Sequence, residues 1–478
     1  MSEIETFINS EKSMIIAPAG YGKTHTIISV LKTHQDSKKM LVLTHTHAGV
    51  ASIREKAKKE NIDPTTYTLD TICSFALFIT ESFIMDKSRM PSPEDDNYFS
   101  FAVQTATSLL NAKPIKDVLT CTYSHLIVDE YQDCTISQHQ FIVMLSSMMK
   151  THILGDPLQG IFDFNDPIVD MDSPQQMMGF IENKQTLNEP WRWNNSNVQL
   201  GMDLANIRRE LISPNSINIT NYQGIQFFQC SGVNDIYNAS PTYNFFSQYI
   251  RNNSPESLLV IVPQKHNVQP FAQRFKKTFG IRELEAFDDK WYYELSKQID
   301  STEGDNNNIL QLIHNILLEL FPKVVVNEWI NDKHEVKKKK STTDNNDFYD
   351  ELCGLYMIEQ KDKLLWTHRL IELFKKKYLR QCKLEKTNAI LNAIRHAYSE
   401  SISVYDGMKK DRDKARRVGR RVIGRYVGTT LLTKGLEFDT VFVINPNDFS
   451  NKKHLYVALT RAVKNLIVIS SSNIVTIN

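Results

Sequence analysis

The stretch Met14-Ile-Ile-Ala-Pro-Ala-Gly-Tyr-Gly-Lys-Thr24 decides the fold of this chain. It opens with an apolar run typical of a buried strand, passes through a glycine-containing loop, and continues into a helical pattern over 23–32. Loops of this kind direct backbone N–H groups and a helix N-terminus toward phosphate, so the stretch predicts a phosphate-binding loop. Ala17 stands where the strict pattern has glycine, which leaves a glycine-rich turn without a ligand as the alternative.

Two residues of this loop have specific chemical roles in the prediction. Lys23 is expected to reach the β- and γ-phosphates of a nucleoside triphosphate, and the Thr24 hydroxyl is expected to bind Mg²⁺. The residues predicted to surround the nucleotide at this end of the chain are Ala19, Gly20, Tyr21, Gly22, Lys23, Thr24 and His25.

Apolar runs alternate with helical patterns through the first part of the chain. Runs at 40–44, 125–129 and 151–155 end at or beside polar residues, and a helical pattern covers 48–60. This alternation predicts a parallel sheet buried on both faces, with functional side chains at the carboxyl ends of its strands.

The same pattern returns in the second part of the chain. Strands are predicted at 257–263, 440–444 and 465–469, with a helix at 454–463. The predicted fold class is therefore α/β, with two parallel-sheet domains.

A mostly helical insertion is predicted to interrupt each α/β domain. Within the second insertion, the polar segment 337–346 predicts a solvated or disordered loop. The predicted boundaries are 1–77 and 120–186 for the first core domain, 78–119 for its small insertion, 187–284 and 421–478 for the second core domain, and 285–420 for its insertion with a basic segment.

Composition restricts the classes of protein further. The 478 residues carry a formal net charge of only +1, so a nucleic-acid surface has to come from local patches. The six cysteines are scattered without zinc-type spacing, which favours buried thiols in a reduced compartment. The polar N-terminus and the lack of long apolar runs predict a cytoplasmic protein without a membrane partner.

An acidic pair ends the predicted strand at 125–129. Asp129 is suited to bind Mg²⁺, and Glu130 is suited to orient and deprotonate an attacking water. Acidic pairs also occur on solvated surfaces, but the preceding apolar run favours a functional pair. Gln159 and Arg461 are suited to sense and neutralise charge on the γ-phosphate, with the arginine coming from the second domain. Surface placement is the alternative for an isolated arginine.

The phosphate-binding loop and seven further segments together resemble the UvrD/Rep branch of superfamily-one helicases. The resemblance extends through both α/β parts, and its last two segments are the most specific. Besides the phosphate-binding loop, the matching segments are Leu43-Thr-His-Thr-His47, Thr68-Leu-Asp-Thr-Ile-Cys-Ser-Phe75, Asp129-Glu-Tyr-Gln-Asp133, Gly155-Asp-Pro-Leu-Gln-Gly-Ile-Phe162, Leu187-Asn-Glu-Pro-Trp-Arg192, Thr433-Lys-Gly-Leu-Glu-Phe438 and Tyr456-Val-Ala-Leu-Thr-Arg-Ala462.

The resemblance implies two RecA-like domains with ATP and Mg²⁺ between them, single-stranded DNA across their top, and 3′ to 5′ translocation. It implies that Arg192 and Arg461 touch the γ-phosphate, Glu437 binds the ribose beside Gly435, and Trp191 stacks on adenine. Packing in the core is the alternative for Trp191. The family's glutamine before the loop has no obvious counterpart here, and Leu431 replaces its usual histidine before Lys434.

Nucleic-acid contacts are predicted at three places. By resemblance, Thr44, His45 and Thr71 lie along the DNA path. Phe162 and Phe164 match stacking positions, although packing is their alternative. The basic run over 409–425 predicts phosphate contacts and includes Arg416 and Arg420; a solvated helix face is its alternative.

Three functions fit these patterns. The first is an ATP-dependent DNA helicase or translocase. The second is an ATP-gated subunit that senses single-stranded or end-containing DNA and regulates a separate nuclease, as in the compact Gabija-type phage-defence pair. The short insertions favour this second function, and no fused nuclease is expected, because nothing follows the last predicted strand. The third, an RNA helicase, fits the last two motifs less well.

Overall fold

The computed structural model describes residues 7–162, 166–213, 216–232, 235–284, 289–303, 306–337, 346–357, 362–379, 381–418 and 424–476. Two six-stranded parallel sheets dominate these residues. The predicted α/β fold class is confirmed, with two RecA-like domains of the phosphate-binding-loop type.

The first sheet contains all four strands predicted in the first part of the chain. Its order is β3-β2-β4-β5-β1-β6, and every neighbouring pair is parallel. Its strands are β1 Lys12–Ile16, β2 Lys39–Thr44, β3 Tyr67–Thr71, β4 Tyr123–Val128, β5 Lys150–Gly155 and β6 Lys184–Thr186.

Alternate residues of these strands enter two different cores, as expected for a sheet covered on both faces. Leu126 and Val128 of β4 pack in one apolar cluster, whereas Ile127 packs in the cluster on the opposite face. Burial on both faces explains why the strands have continuous apolar sequences.

The second sheet has the order β10-β11-β9-β12-β13-β8, again all parallel. It also has two apolar clusters, one on each face. The strands of the second part are β7 Ile217–Asn218, β8 Ile225–Gln229, β9 Leu258–Ile261, β10 Arg282–Glu283, β11 Arg425–Gly428, β12 Phe438–Ile444, β13 Ala462–Ser470 and β14 Ile474–Val475, of which β7 and β14 form a separate antiparallel pair.

The α-helices with defined bounds are, in chain order, α1 Lys23–Thr33, α2 His47–Lys59, α3 Ile72–Phe83, α4 Tyr98–Leu109, α5 Lys113–Thr122, α6 Ile136–Leu145, α7 Val198–Ile212, α8 Pro241–Asn253, α9 Val268–Phe279, α10 Asp289–Ser301, α11 Asn306–Leu320, α12 Lys323–Trp329, α13 Asn346–Tyr356, α14 Lys363–Tyr378, α15 Leu384–Glu400, α16 Val404–Val418, α17 Thr430–Thr433 and α18 Lys452–Leu459. We call the first sheet with its flanking helices the first lobe, and the second sheet with its flanking helices the second lobe.

The prediction of a helix over 454–463 was wrong at its end. Helix α18 stops at Leu459, and β13 already begins at Ala462, where it pairs with Phe438 of β12. Arg461 therefore lies in the tight turn between a helix and a strand.

Two compact units are present. One comprises Met1–Met90, Phe99–Leu284 and Arg417–Asn478 and contains both lobes; the other comprises Pro91–Tyr98 and Glu285–Arg416. The second unit has its own core, in which Trp329 and Trp366 are buried among helices α10–α16. Most of the predicted polar loop at 337–346 lies outside the described residues. Across the described part of the chain, the helices are too short or too polar to cross a bilayer.

Candidate active site

The phosphate-binding loop follows β1 and leads into α1, as predicted. Its glycines Gly20 and Gly22 have φ angles of 77° and 91°, a region that disfavours side chains. A Cβ atom on Gly20 would lie 2.6 Å from the Trp193 ring, and one on Gly22 would lie 2.9 Å from Trp191. Glycine is therefore required here by backbone conformation and by the close approach of the second lobe.

Lys23 begins α1 and points into the site. Its Nζ lies 3.2 Å from Glu130 Oε1, and the residue is 9% exposed. Burial alone would lower the pKa of Lys23, but the Glu130 and Asp129 carboxylates raise it overall. Lys23 is therefore a buried cation held against the acidic pair.

Asp129 stands at the carboxyl end of β4 and is 4% exposed. Its Oδ1 atom is buried and has no hydrogen-bond partner among the described residues, and burial together with the Glu130 charge raises the pKa of Asp129 to about 7. Such an atom is costly unless a ligand satisfies it. Since Thr24 lines the same cavity, Asp129 and Thr24 fit the predicted Mg²⁺ position.

Glu130 has a left-handed backbone, with φ at 55°. Non-glycine residues adopt this conformation at some energetic cost, often at functional sites. The Gln132 amide donates to Glu130 Oε2 at 2.5 Å. Burial would raise the pKa of Glu130, but Lys23 and Lys434 lower it to about 2. Glu130 is thus ionised at neutral pH, and the two lysines hold it as a weak base.

A cavity of about 320 Å³ lies between the two lobes, within the range of small-molecule sites. It brings together residues that are far apart in sequence. Its lining contains the predicted residues Ala19, Gly20, Gly22, Lys23, Thr24, His25, Asp129, Glu130, Gln159, Trp191, Arg192, Gly435, Glu437 and Arg461. Tyr21 is the exception among the residues predicted to surround the nucleotide: it packs in the apolar cluster of the second lobe with Trp193.

Arg461 enters the cavity from the second lobe and is 2% exposed. Its Nε donates to the Val457 carbonyl at 2.9 Å, and its Nη2 donates to Gln159 Oε1 at 3.3 Å. Burial and the neighbouring Arg192 lower the pKa of Arg461 to about 10, so the guanidinium remains charged at neutral pH. The two predicted γ-phosphate sensors therefore touch each other across the lobes.

Arg192 and Glu437 form an ion pair of 2.7 Å at the side of the cavity. Arg192 Nη1 also donates to the Thr460 carbonyl at 2.5 Å. The Arg192 charge lowers the pKa of Glu437. In the predicted scheme these two residues bind different parts of the nucleotide, and here they neutralise each other.

Aromatic rings form one wall of the cavity. The rings of His25 and Trp191 stack with centroids 5.3 Å apart and planes 12° apart. Trp191 is 50% exposed, whereas Trp193 is fully buried and donates from Nε1 to the Ala462 carbonyl at 2.9 Å. Trp193 is thus the tryptophan that packs in the core. Core packing, the alternative for Trp191, does not describe Trp191, whose ring lines the cavity.

Lys434 was not predicted as a site residue, although it stands in a matching segment. Its ammonium contacts both carboxylate oxygens of Asp133, with Nζ at 2.5 Å from Oδ2, and donates to the Gln159 carbonyl. Burial lowers the pKa of Lys434 and raises that of Asp133 to about 7. The second lobe thus holds the acidic segment of the first through a buried ion pair.

Lys56 also lines the cavity and was missed. It belongs to α2, whose sequence gave a helical pattern without any motif at this position. Burial lowers the pKa of Lys56, with Glu437 opposing the shift. Only its spatial position beside Glu437 and Arg192 identifies it.

The predicted nucleic-acid residues are placed differently from one another. Thr44 and Thr71 are buried, and the Thr71 hydroxyl caps α3 by accepting from the Ser74 backbone N–H. The rings of His45 and Phe162 lie 5.6 Å apart, and burial lowers the pKa of His45 to about 4. Arg416 falls in α16, and Phe164 and Arg420 lie outside the described residues.

This cavity, built from both lobes, is the candidate nucleotide site of a protein of the phosphate-binding-loop class. Two family models match the chain: an AAA domain over residues 2–165 and a UvrD-like helicase C-terminal domain over residues 426–469. Together they support a UvrD-like helicase family and an ATP-dependent helicase-type function. They imply nucleotide use and DNA binding. No curated protein matches the chain.

Proposed function

We propose that this protein is an ATP-driven translocase that moves 3′ to 5′ along single-stranded DNA. The observation that carries the proposal is that Lys23 from the first lobe and Arg461 from the second line the same cavity. One triphosphate lodged there can be contacted by both cations, so its hydrolysis can alter the contacts between the lobes.

Ligand binding exchanges ion pairs that already exist in the protein. Lys23 is paired with Glu130, and Arg192 is paired with Glu437. Because phosphate oxygens accept strong charge-assisted hydrogen bonds, a triphosphate competes with these carboxylates for both cations. Transfer of Lys23 to phosphate releases Glu130 to act on water.

Hydrolysis then depends on groups from both lobes. Bound Mg²⁺, held through Thr24 and Asp129, would neutralise charge on the phosphates. Glu130 orients the attacking water and accepts its proton. Gln159 and Arg461 stabilise negative charge that develops on the γ-phosphate.

Single-stranded DNA is proposed to pass along the carboxyl edge of the sheets, beside the cavity. His45 and Phe162 follow β2 and β5 at this edge, and Lys434 Nζ lies 4.7 Å from the Phe162 ring centroid. Since His45 is neutral near pH 7, its contribution is stacking, with phosphate contacts left to lysine and arginine. Arg416 and Arg420 remain proposed phosphate contacts.

The test is ATP turnover with and without single-stranded DNA, in the wild type and in a Lys23→Ala/Glu130→Gln double variant. We expect DNA to stimulate the wild type and the double variant to be inactive. Turnover retained by the double variant would contradict the site assignment. Substituting RNA for DNA in the same assay separates the DNA motor from an RNA helicase.

A strand-displacement assay separates the motor from the regulatory alternative. The motor unwinds a duplex with a 3′ single-stranded tail in an ATP-dependent way. ATP-dependent DNA binding and turnover without displacement would support instead an ATP-gated DNA sensor that controls a separate nuclease.

A further inference from the structure

Arg208 of α7 lies outside the predicted motifs and forms an ion pair with Asp156 that crosses between the lobes. Its Nη2 lies 2.9 Å from Asp156 Oδ1, and the Arg208 side chain is 17% exposed. Burial would lower the pKa of Arg208, but the Asp156 carboxylate raises it overall. The Asp156 side chain is completely buried at the end of β5.

Asp156 links Arg208 to Gln159, a predicted γ-phosphate sensor. Its Oδ2 atom accepts a hydrogen bond from the Gln159 amide at 3.1 Å. The other end of that amide, Oε1, accepts from Arg461 Nη2 at 3.3 Å. A carboxylate accepts and cannot donate, so the charged Asp156 fixes which end of the Gln159 amide faces Arg461.

The same region contacts the phosphate-binding loop. The Tyr456 hydroxyl, on the helix that leads to Arg461, accepts from the Ala19 backbone N–H at 3.2 Å and lies beside Arg208. Among the described residues, Gln159 and Arg461 line the cavity, whereas Arg208, Asp156 and Tyr456 do not. Arg208 can therefore influence a bound nucleotide only through other residues.

We propose that Arg208 is a positioning residue for ATP hydrolysis, acting through Asp156 on Gln159. The ion pair joins the two lobes, so it forms only when they are closed. Closure then holds Gln159 with Oε1 toward Arg461, and the second N–H of its amide nitrogen can donate to the γ-phosphate, in the same movement that brings Arg461 to it. This inference rests on the proposed ATP-hydrolysing function and adds a residue to its coupling step.

The experiment compares three variants of the full chain. Arg208→Met removes the charge while keeping much of the side-chain volume, Arg208→Lys restores a cation, and Arg209→Met is the matched control. Arg209 is the next residue of the same helix, is exposed, and contacts Asn206. Steady-state turnover with single-stranded DNA gives kcat and KM for ATP.

We expect Arg208→Met to lower kcat roughly tenfold to hundredfold, as for a misplaced catalytic group, with KM little changed. Arg208→Lys should recover part of this loss, and Arg209→Met should behave like the wild type. Equal kcat values for Arg208→Met and Arg209→Met would overturn the proposal. A wild type without turnover would instead refute the proposed function itself.

A double-mutant cycle distinguishes positioning from a general structural role. If Arg208 acts through Gln159, Arg208→Met should have no further effect on kcat in a Gln159→Ala background. If the factors by which the two substitutions lower kcat multiply in the double variant, the two residues act independently, and the inference is overturned. Should Arg208→Met fail to fold, Arg208→Lys takes its place in the cycle, judged by the same criterion.

Discussion

The two lobes hold their parts of the active site in different ways. In the first lobe, Lys23 pairs with Glu130, and Glu130 accepts from Gln132, so these groups are arranged by segments that follow two strands of one sheet. In the second lobe, Arg461 reaches across to Gln159 and Lys434 reaches across to Asp133. The first arrangement belongs to one lobe, and the second requires both.

This difference indicates that the two lobes contribute to different steps of the reaction cycle. We expect a lobe that organises its own phosphate-binding groups to supply most of the contacts that hold the phosphates. Groups that are positioned by contacts between the lobes change their positions when the cleft between the lobes opens or closes. Such groups are therefore suited to couple hydrolysis to movement of the lobes. Binding is therefore expected to depend mainly on the first lobe, and turnover on both.

The largest effect is expected at Arg461. In the proposed function Arg461→Met removes the charge that the second lobe brings to the γ-phosphate, and we expect kcat to fall about a thousandfold, as for arginine fingers. DNA-stimulated phosphate release measures it. Arg251→Met, at an exposed arginine of α8, is the control and should turn over ATP like the wild type. A comparable loss in both variants would show a general charge effect.

Removing Lys434 tests the buried contact between the lobes. Lys434→Met leaves Asp133 buried without its partner, so the free energy of unfolding should fall by about 3 kcal/mol, measured by chemical denaturation near pH 8. Burial already raises the pKa of Asp133 to about 7 with Lys434 present. A raised carboxyl pKa costs stability as pH rises through it, so the loss should be smaller at pH 6.

Lys434→Met/Asp133→Asn is the matched control, because it removes both charges. It should recover part of the lost stability and show a weaker dependence on pH. A loss that is equal at both pH values would contradict the assignment of the effect to Asp133.

A substitution at Glu130 tests the contribution of the first lobe. Glu130→Gln removes the proposed proton acceptor while keeping the shape of the side chain, so kcat should fall about a hundredfold or more. Binding of a fluorescent ATP analogue should persist, because Lys23 loses a competing carboxylate. Glu182→Gln, at an exposed glutamate of the same lobe, should leave both quantities unchanged. Weakened binding in Glu130→Gln would argue for a structural role.

The smallest effect is expected at Trp191. Trp191→Ala removes an exposed ring that can stack on a base, and KM for ATP should rise about tenfold while kcat changes less. Trp191→Phe should restore most of the affinity, since it keeps an aromatic face. An unchanged KM in Trp191→Ala would exclude stacking as part of nucleotide binding.

The strands that could be predicted are those buried on both faces. β1, β2, β4 and β5 have continuous apolar runs, so their pattern does not depend on unknown neighbours. β3 and β6 lie at the sheet edges and are partly exposed, and they lack such runs. The end of α18 was missed for a similar reason, because pairing of Ala462 with Phe438 ends the helical stretch early.

Prediction of the site residues from the sequence has the same limit: residues marked by a local pattern are found, and contacts between distant positions are not. Lys23, Asp129 and Glu130 stand beside a strand or a loop that marks them in the sequence, and all three line the cavity. The contact between Arg208 and Asp156 joins positions 52 residues apart, and that between Lys434 and Asp133 joins positions 301 apart. No local pattern encodes such pairs, so only the folded arrangement shows them.

The most direct test of the division between the lobes is to measure nucleotide affinity and single-turnover hydrolysis side by side in Lys23→Ala and Arg461→Met. The account predicts that Lys23→Ala loses affinity for a fluorescent ATP analogue. Arg461→Met should keep that affinity and lose hydrolysis with DNA present. Loss of affinity to the same degree in both variants, or hydrolysis by Arg461→Met at the wild-type rate, would contradict it.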